Sequence, residues 1–315
     1  MPIAPLQQQL RKPSRPIEAV SVWVEVSEAC QFKCRFCYNY WRDVPPNQHD
    51  HMSNETVAQL AGFLQRFAED GFRVSVALAG GDATTHPAFL DIVQVCAPLV
   101  HDLCLVTHGG ELAAPHLHRL STVDNASIQF SIPSLTLETY RFLTGGRDYL
   151  RTLTALAQCE LFAIPRSISV VLNTRNRGDL SSLIELAAET GSDYLLLNRF
   201  IAAGRAKHYS HDFSLSEDEF KQAISLAAPV ARKWGVDLRV SGIEGGRRLA
   251  KVRETKITVG VDGRVRHCSL AQGFFSTLDS TPDDVVACSR AFWTSTEIIE
   301  ECVCSHDVGH RKAAL

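Results

Sequence analysis

The chain has no apolar run approaching the length of a membrane-spanning helix. Residues 1–14 carry proline, glutamine and basic residues where a secretory signal would have its hydrophobic core. Neither sign of charge is in large excess: the formal net charge is −3 over 315 residues. That speaks against the basic groove of a nucleic-acid binder and the cationic patch of a membrane-surface protein. Internal repeats and low-complexity stretches are lacking as well. Cysteine is not scarce: there are ten. Without an export signal, that number favours metal or redox use over disulfides, and a reducing cytoplasm is the expected location. Hydrophobic residues at 45% and charged residues at 21% suit a globular chain with a sizeable core.

Strand-like and helix-like segments alternate from about residue 19 to residue 240. The expected strands are residues 20–27, 72–79, 103–107, 126–132, 167–173 and 194–200. Helices are expected over 56–71, 87–100, up to Leu120, across 135–161, over 180–190 and over 216–234. Ser53 is a candidate N-cap. Glu217, Asp218 and Glu219 suit the positive end of the last helix. Six βα units predict an α/β fold with a parallel sheet. After Gly242 the pattern changes to a short hairpin with Asp262-Gly263 at its turn, then a helix over 282–295.

Cys30, Cys34 and Cys37 follow directly on the first expected strand with the spacing C-x3-C-x2-C. Three thiolates on one short loop can hold three corners of a [4Fe–4S] cube and leave its fourth iron open, whereas clusters used only for electron transfer usually have four cysteine ligands. Zinc sites more often use paired units from two places, and disulfide frameworks belong to small secreted chains. The motif resembles that of the radical S-adenosylmethionine (radical SAM) superfamily. The resemblance implies a (β/α)6 partial TIM barrel over residues 19–242, after an N-terminal extension of residues 1–18. It also implies that SAM chelates the open iron and is cleaved to a hydrogen-abstracting 5′-deoxyadenosyl radical. The loop then leaves the C-terminal end of the first strand, where barrel active sites lie.

The same resemblance supplies candidate SAM contacts. Phe36 matches an aromatic that packs near adenine. Gly80-Gly81-Asp82 looks like the family's GGE motif with Asp in place of Glu; as bare sequence it is also a common turn. Ser131 and Asn173 end the fourth and fifth strands at positions that meet the SAM carboxylate, ribose or methionyl part, and a capping role is the alternative for each. Arg199, at the end of the sixth strand, could pair with the SAM carboxylate or form a surface ion pair.

Cys268, Cys302 and Cys304, with Cys288 as candidate fourth ligand, resemble the auxiliary Fe–S ligands of a SPASM/twitch module, placed at residues 243–315. The pattern departs from the module's usual one. Residues 238–262 contain no cysteine, and the last pair is C-x-C rather than C-x2-C. Cys288 could equally be a buried apolar group on its helix. Cys96, Cys104 and Cys159 have structural readings, although a barrel-facing Cys104 could return a hydrogen atom to a substrate radical.

The leading expectation is a natural-product tailoring enzyme that dehydrogenates or epimerises a C–H centre. The short stretch before the first strand tilts the expected substrate toward a small molecule of aminosugar or aminocyclitol type. The alternative is a ribosomal-peptide maturase forming a cross-link or an epimerised residue. A non-catalytic Fe–S carrier is the reading from a different class. A flavodoxin- or ferredoxin-type reductant is the expected protein partner, with no nucleic acid and no membrane.

Overall fold

The computed structural model describes residues 18–39, 50–146, 148–241, 254–270 and 273–294. The chain alternates β1 (Ala19–Ser27), α1 (Asn54–Glu69), β2 (Arg73–Gly80), α2 (Phe89–Cys96), β3 (Asp102–Thr107), α3 (Ala114–Leu120), β4 (Ala126–Ser131), α4 (Leu137–Thr144) and α5 (Tyr149–Leu161). It continues with β5 (Arg166–Leu172), α6 (Leu180–Glu189), β6 (Tyr194–Arg199), α7 (Ser210–Phe213), α8 (Glu217–Trp234) and β7 (Asp237–Ser241). These seven strands pair in sequence order, all parallel. The α/β class and the parallel sheet are those expected from the alternation of elements, and the barrel is the one the resemblance implies.

The strands are two-faced. On β1, Val20, Val22 and Val24 point outward and are almost wholly buried against the helices, while Ser21 and Trp23 alternate with them and are only partly buried. Helix α1 returns Leu60, Phe63, Leu64 and Phe67 to that apolar layer, at the three- and four-residue spacing of one helix face. Its N-cap Ser53 accepts from the Thr56 N–H. Helix α8 starts with a capping box, Ser216 and Glu219, and ends at Gly235 with φ +70°. Among the described residues no helix is long and apolar enough to cross a membrane.

Two features differ from the alternation read in the sequence. The sheet has a seventh parallel strand, β7, with sequence Asp-Leu-Arg-Val-Ser. It is short and its charged residues mask the pattern; pairing to the β6 edge makes it a strand. The second is β8 (Glu254–Val259), the first arm of the expected hairpin. It pairs in parallel with β1, Ala19 opposite Glu254 through Val24 opposite Val259. The barrel sheet therefore continues into the C-terminal strands β9 (Arg264–Arg266) and β10 (Ser276–Thr277), in the order β10-β9-β8-β1 and on to β7. The turn runs from Gly260 to Gly263, which has φ +75° and donates its N–H to the Gly260 carbonyl at 3.0 Å. Helix α9 (Pro282–Thr294) packs on this arm. His267 is stacked between Phe275 at 4.0 Å and Phe292 at 3.9 Å, and burial pushes its imidazole down to about 4, so it is neutral near pH 7.

A buried ion pair ties the hairpin to the barrel: Arg266 of β9 meets Glu25 of β1, and both are largely sequestered. Burial pushes the Glu25 carboxyl up to about 7 against the pull of Arg266. A carboxyl raised on folding contributes stability that is full below its unfolded value near 4.5 and is lost as pH rises through about 7. The urea midpoint should therefore fall as pH rises from about 5 to about 8. Glu25→Gln should flatten that fall, and an unchanged slope in the variant would refute the assignment.

Candidate functional site

The loop of residues 28–39 crosses the C-terminal mouth of the barrel and is held by backbone bonds to several other segments. Gly81 N–H donates to the Ser27 carbonyl at 2.6 Å and Asp82 N–H to the Ala29 carbonyl at 2.9 Å. Lys33 and Arg35 donate to the carbonyls of Thr144 and Leu143 at 2.9 and 2.8 Å, and Ala206 donates to the Cys37 carbonyl at 3.0 Å. Glycine is required where the loop meets β2. A Cβ on Gly80 or Gly81 would come within 3.0 Å of the Ser27 or Ala29 carbonyl oxygen, a separation that real Cβ atoms do not show. Beneath the loop lies a small apolar cluster of Leu143, Phe200, Ala206 and Phe213, against which Phe36 packs.

Cys30, Cys34 and Cys37 are half-buried thiols, and all three line one cavity of about 380 Å³. Phe36, Gly80, Gly81, Asp82, Ser131 and Arg199 line the same cavity. Asp82 is 2% exposed. Its carboxylate accepts from Thr84 N–H at 3.0 Å, Thr84 Oγ1 at 2.6 Å, Thr107 Oγ1 at 2.9 Å and His108 N–H at 3.0 Å. His108 Nε2 lies 3.1 Å from it. Gly110 N–H donates to Nδ1 of that ring, which places the imidazole proton on Nε2, toward Asp82 and the Gln31 side chain. Burial alone would raise the Asp82 carboxyl; His108 and the hydrogen bonds from Thr84 and His108 outweigh it, and the net shift is downward. The acid of the Gly-Gly-Asp motif thus clamps the end of β2 to the end of β3. Phe32 stacks on the clamped His108 at 3.7 Å, so the clamp also fixes the loop.

Four candidates, Asn173, Cys104, Cys268 and Cys288, fall outside the cavity wall. Asn173 is fully buried. Its Nδ2 donates to the Val171 carbonyl at 3.0 Å and its Oδ1 accepts from Arg175 N–H at 2.9 Å, so the amide is spent on the turn after β5. Cys104 sits on β3 two residues before the lining residue Val106 and does not reach the cavity; burial pushes its thiol up to about 11. Cys268 is half-buried just after β9, and its neighbour Ser269 lines the cavity and bonds the half-buried Tyr38. Cys288 is exposed on α9. Cys302 and Cys304 lie outside the described residues. Among the described residues, no three His, Cys, Asp or Glu side chains gather closely enough for a single metal ion.

Several lining residues were not singled out from the sequence. Asn39 donates its Nδ2 to the Gly80 carbonyl at 3.0 Å, while its buried Oδ1 has no partner. Along the inner wall, Gln129 Nε2 donates to the Tyr194 hydroxyl at 3.2 Å and Asn198 Nδ2 to Ser169 Oγ at 2.8 Å. Trp23, Ser241 and Ser269 complete that wall. The available signal was the period of two in Ser127-Ile128-Gln129-Phe130-Ser131, which puts the polar residues on the face away from the helices.

The donor set fits an iron–sulfur cluster with an amino-acid ligand. Three thiols share a wall, two glycines clear the backbone beside them, and a buried acceptor at Asn39 is left for an ammonium donor. Asp82→Asn should cost roughly 3 kcal/mol by breaking a buried carboxylate network. A depressed carboxyl contributes stability that is full above about pH 5 and lost as pH falls through its folded value. The variant should therefore also lose part of the wild-type destabilisation on acidification, read from urea midpoints; a wild-type-like midpoint and acid profile would remove Asp82 from this role.

The sequence profile of the Radical SAM superfamily matches residues 24–187, more than half of the chain. Sporulation killing factor maturation protein SkfB of Bacillus subtilis (strain 168) is 24% identical over 225 residues, 70% of this chain and 52% of SkfB, so the chain spans about half of that relative. A probable GTP 3′,8-cyclase of Saccharolobus solfataricus is 23% identical over 222 residues, 70% of this chain and 69% of the relative. In fold, the chain is similar to Streptococcus suis SuiB bound to precursor peptide SuiA (TM-score 0.71, 12% identity, 89% of this chain and 66% of SuiB). It is likewise similar to anSMEcpe with bound AdoMet (TM-score 0.68, 14% identity, 89% of this chain and 82% of the other). The profile match begins within β1 and includes all three loop cysteines and Gly80-Gly81-Asp82, and this protein belongs to the radical SAM superfamily.

Proposed function

We propose that this protein is a peptide-modifying radical SAM enzyme, a maturase that acts on a C–H bond of a ribosomally made natural product. The observation that carries the enzymatic reading is the single cavity shared by Cys30, Cys34, Cys37 and a polar barrel wall. When bound, a [4Fe–4S] cluster and SAM, the cofactors of this family, supply a 5′-deoxyadenosyl radical able to remove hydrogen from an unactivated carbon. The three cysteines would hold the cluster. Gly80, Asn39 and Ser131 would receive the amino-acid end of SAM, and Phe36 would flank its adenine. Gln129, Ser169 and Asn198, on the inner wall, would orient the substrate by neutral hydrogen bonds.

The peptide reading is preferred to the small molecule first expected. SkfB is named as a maturation protein, and both SuiB and anSMEcpe have structures with bound peptides. A small-molecule substrate is the second reading, favoured by the similarity to the probable GTP cyclase. Cys268, with Cys288, Cys302 and Cys304, would hold an auxiliary cluster able to accept an electron from the substrate. A low-potential flavodoxin or ferredoxin would supply the starting electron.

Replacing Cys30, Cys34 and Cys37 together by Ala should abolish 5′-deoxyadenosine formation from SAM and dithionite; retained cleavage would sink the enzymatic reading. A non-catalytic Fe–S carrier would yield no 5′-deoxyadenosine even as wild type. Mass spectrometry of the product made in deuterium oxide separates the outcomes. Oxidation removes two hydrogens and adds no deuterium. Epimerisation leaves the mass unchanged in water and adds one deuterium in deuterium oxide, and that result would overturn an oxidative role for the auxiliary cluster.

A further inference from the structure

We infer that the outer face of the cysteine loop, centred on Phe142, is the docking surface for an acidic one-electron carrier protein. This rests on reading the loop as the cradle of a reducible cluster. Adjacent residues of the loop face opposite ways. Phe36 lines the cavity, whereas Arg35 turns outward, its guanidinium 4.1 Å from the Phe142 ring centre and 5.7 Å from that of Tyr209. Arg35 also donates to the Phe142 carbonyl. From the other side Arg175 brings its guanidinium to 5.4 Å from the same ring. Phe142 is 39% exposed between these two cations. Lys33 and Arg141 are exposed beside it, Lys33 pinned by its N–H bond to the Thr144 carbonyl.

Many exposed cations elsewhere have a carboxylate partner: Arg73 with Asp102, Arg119 with Asp91, Arg177 with Glu219, Lys221 with Glu217, Arg239 with Asp237 and Arg264 with Asp262. Among the described residues Arg232 and Lys233, at the end of α8, have none, but they do not surround an exposed ring beside the cysteine loop. Lys33, Arg35, Arg141 and Arg175 have no carboxylate partner among the described residues. Glu138 and Asp212 are the acids on the helices beside this patch, and Glu28 lies on the loop itself. In a chain of net charge −3, four unpaired cations around an exposed aromatic form a concentrated positive field. They lie where an electron entering from outside crosses only the loop to reach Cys34 and Cys37. An acidic carrier would be steered there electrostatically and would make a small, transient interface. The transfer moves one electron: the carrier is oxidised by one electron, the cluster is reduced by one, and no atom changes place.

The test uses the cluster-loaded protein and flavodoxin hydroquinone as the probe, with cluster bleaching followed by stopped-flow absorbance. Wild-type reduction should slow as salt is raised, since the field is screened within about 10 Å at 0.1 M. The variant Arg141→Glu/Arg175→Glu should be reduced by flavodoxin roughly tenfold more slowly or worse, with dithionite reduction unchanged. Arg141→Gln/Arg175→Gln should fall between the two. Binding of oxidised flavodoxin, by titration calorimetry, should weaken in the same order. Flavodoxin rates equal in all three proteins would overturn the assignment. So would variants that keep flavodoxin reduction but lose binding of an acidic peptide, which would make the patch a peptide-binding face. A failure of the radical SAM reading would show separately, as absence of 5′-deoxyadenosine with dithionite in the wild type.

Discussion

The cysteine loop lies where it does because two consecutive residues at the end of β2 have no side chain. The carbonyls of Ser27 and Ala29 occupy the space that Cβ atoms at Gly80 and Gly81 would need. The backbone bonds from Gly81 and Asp82 then set the height of the loop above the barrel mouth. Asp82 extends the same contact sideways, gathering Thr107 and His108 from β3 and, through the His108 ring, Phe32 of the loop. A residue that resembles part of a cofactor motif is thus also the clamp on which the thiol geometry depends. Its buried charge is tolerated because each oxygen is met by hydrogen-bond donors.

The barrel wall departs from the usual parallel sheet, whose strands are apolar on both faces. Here the outward faces form the core with the helices, and the inward faces carry Ser127, Gln129, Ser131, Ser169 and Asn198. Gln129, Ser169 and Asn198 find hydrogen-bond partners across the wall, Ser127 bonds the Leu103 carbonyl, and Ser131 lines the cavity. The same alternation continues in the loop itself, where Phe36 faces inward and Arg35 outward. One strand-and-loop arrangement therefore presents a polar interior, with Asp82 and Arg199 on its wall, and a cationic exterior.

The C-terminal hairpin is joined to the barrel by its backbone as well as by side chains. β8 extends the sheet along β1, Arg266 meets Glu25 across that seam, and Ser269 reaches the cavity. Ser241, at the end of β7, lines the same cavity although β7 lies at the opposite edge of the sheet. The strands from β9 to β7 therefore curve round one space, and the segment carrying Cys268 is part of its surroundings.

Much of this was legible in the chain because it depends on local order. Six strands and their helices follow from apolar periodicity, and C-x3-C-x2-C and Gly80-Gly81-Asp82 are contiguous motifs whose spacing survives folding. Residues whose roles depend on partners distant in sequence were not legible. Asn39 gains its meaning from Gly80, Gln129 from Tyr194, Arg35 from Phe142 and Glu25 from Arg266. Asn173 and Cys104 show the converse. Each sits near a position where function was expected, but a side-chain amide took the local turn in one case and strand depth kept the thiol from the cavity in the other. The sequence by itself determined which residues could ligate, cap and alternate, because those properties belong to residue type and spacing. Tertiary structure alone decided which of them share a cavity, since that depends on strand register and on which buried polar groups find partners across the barrel.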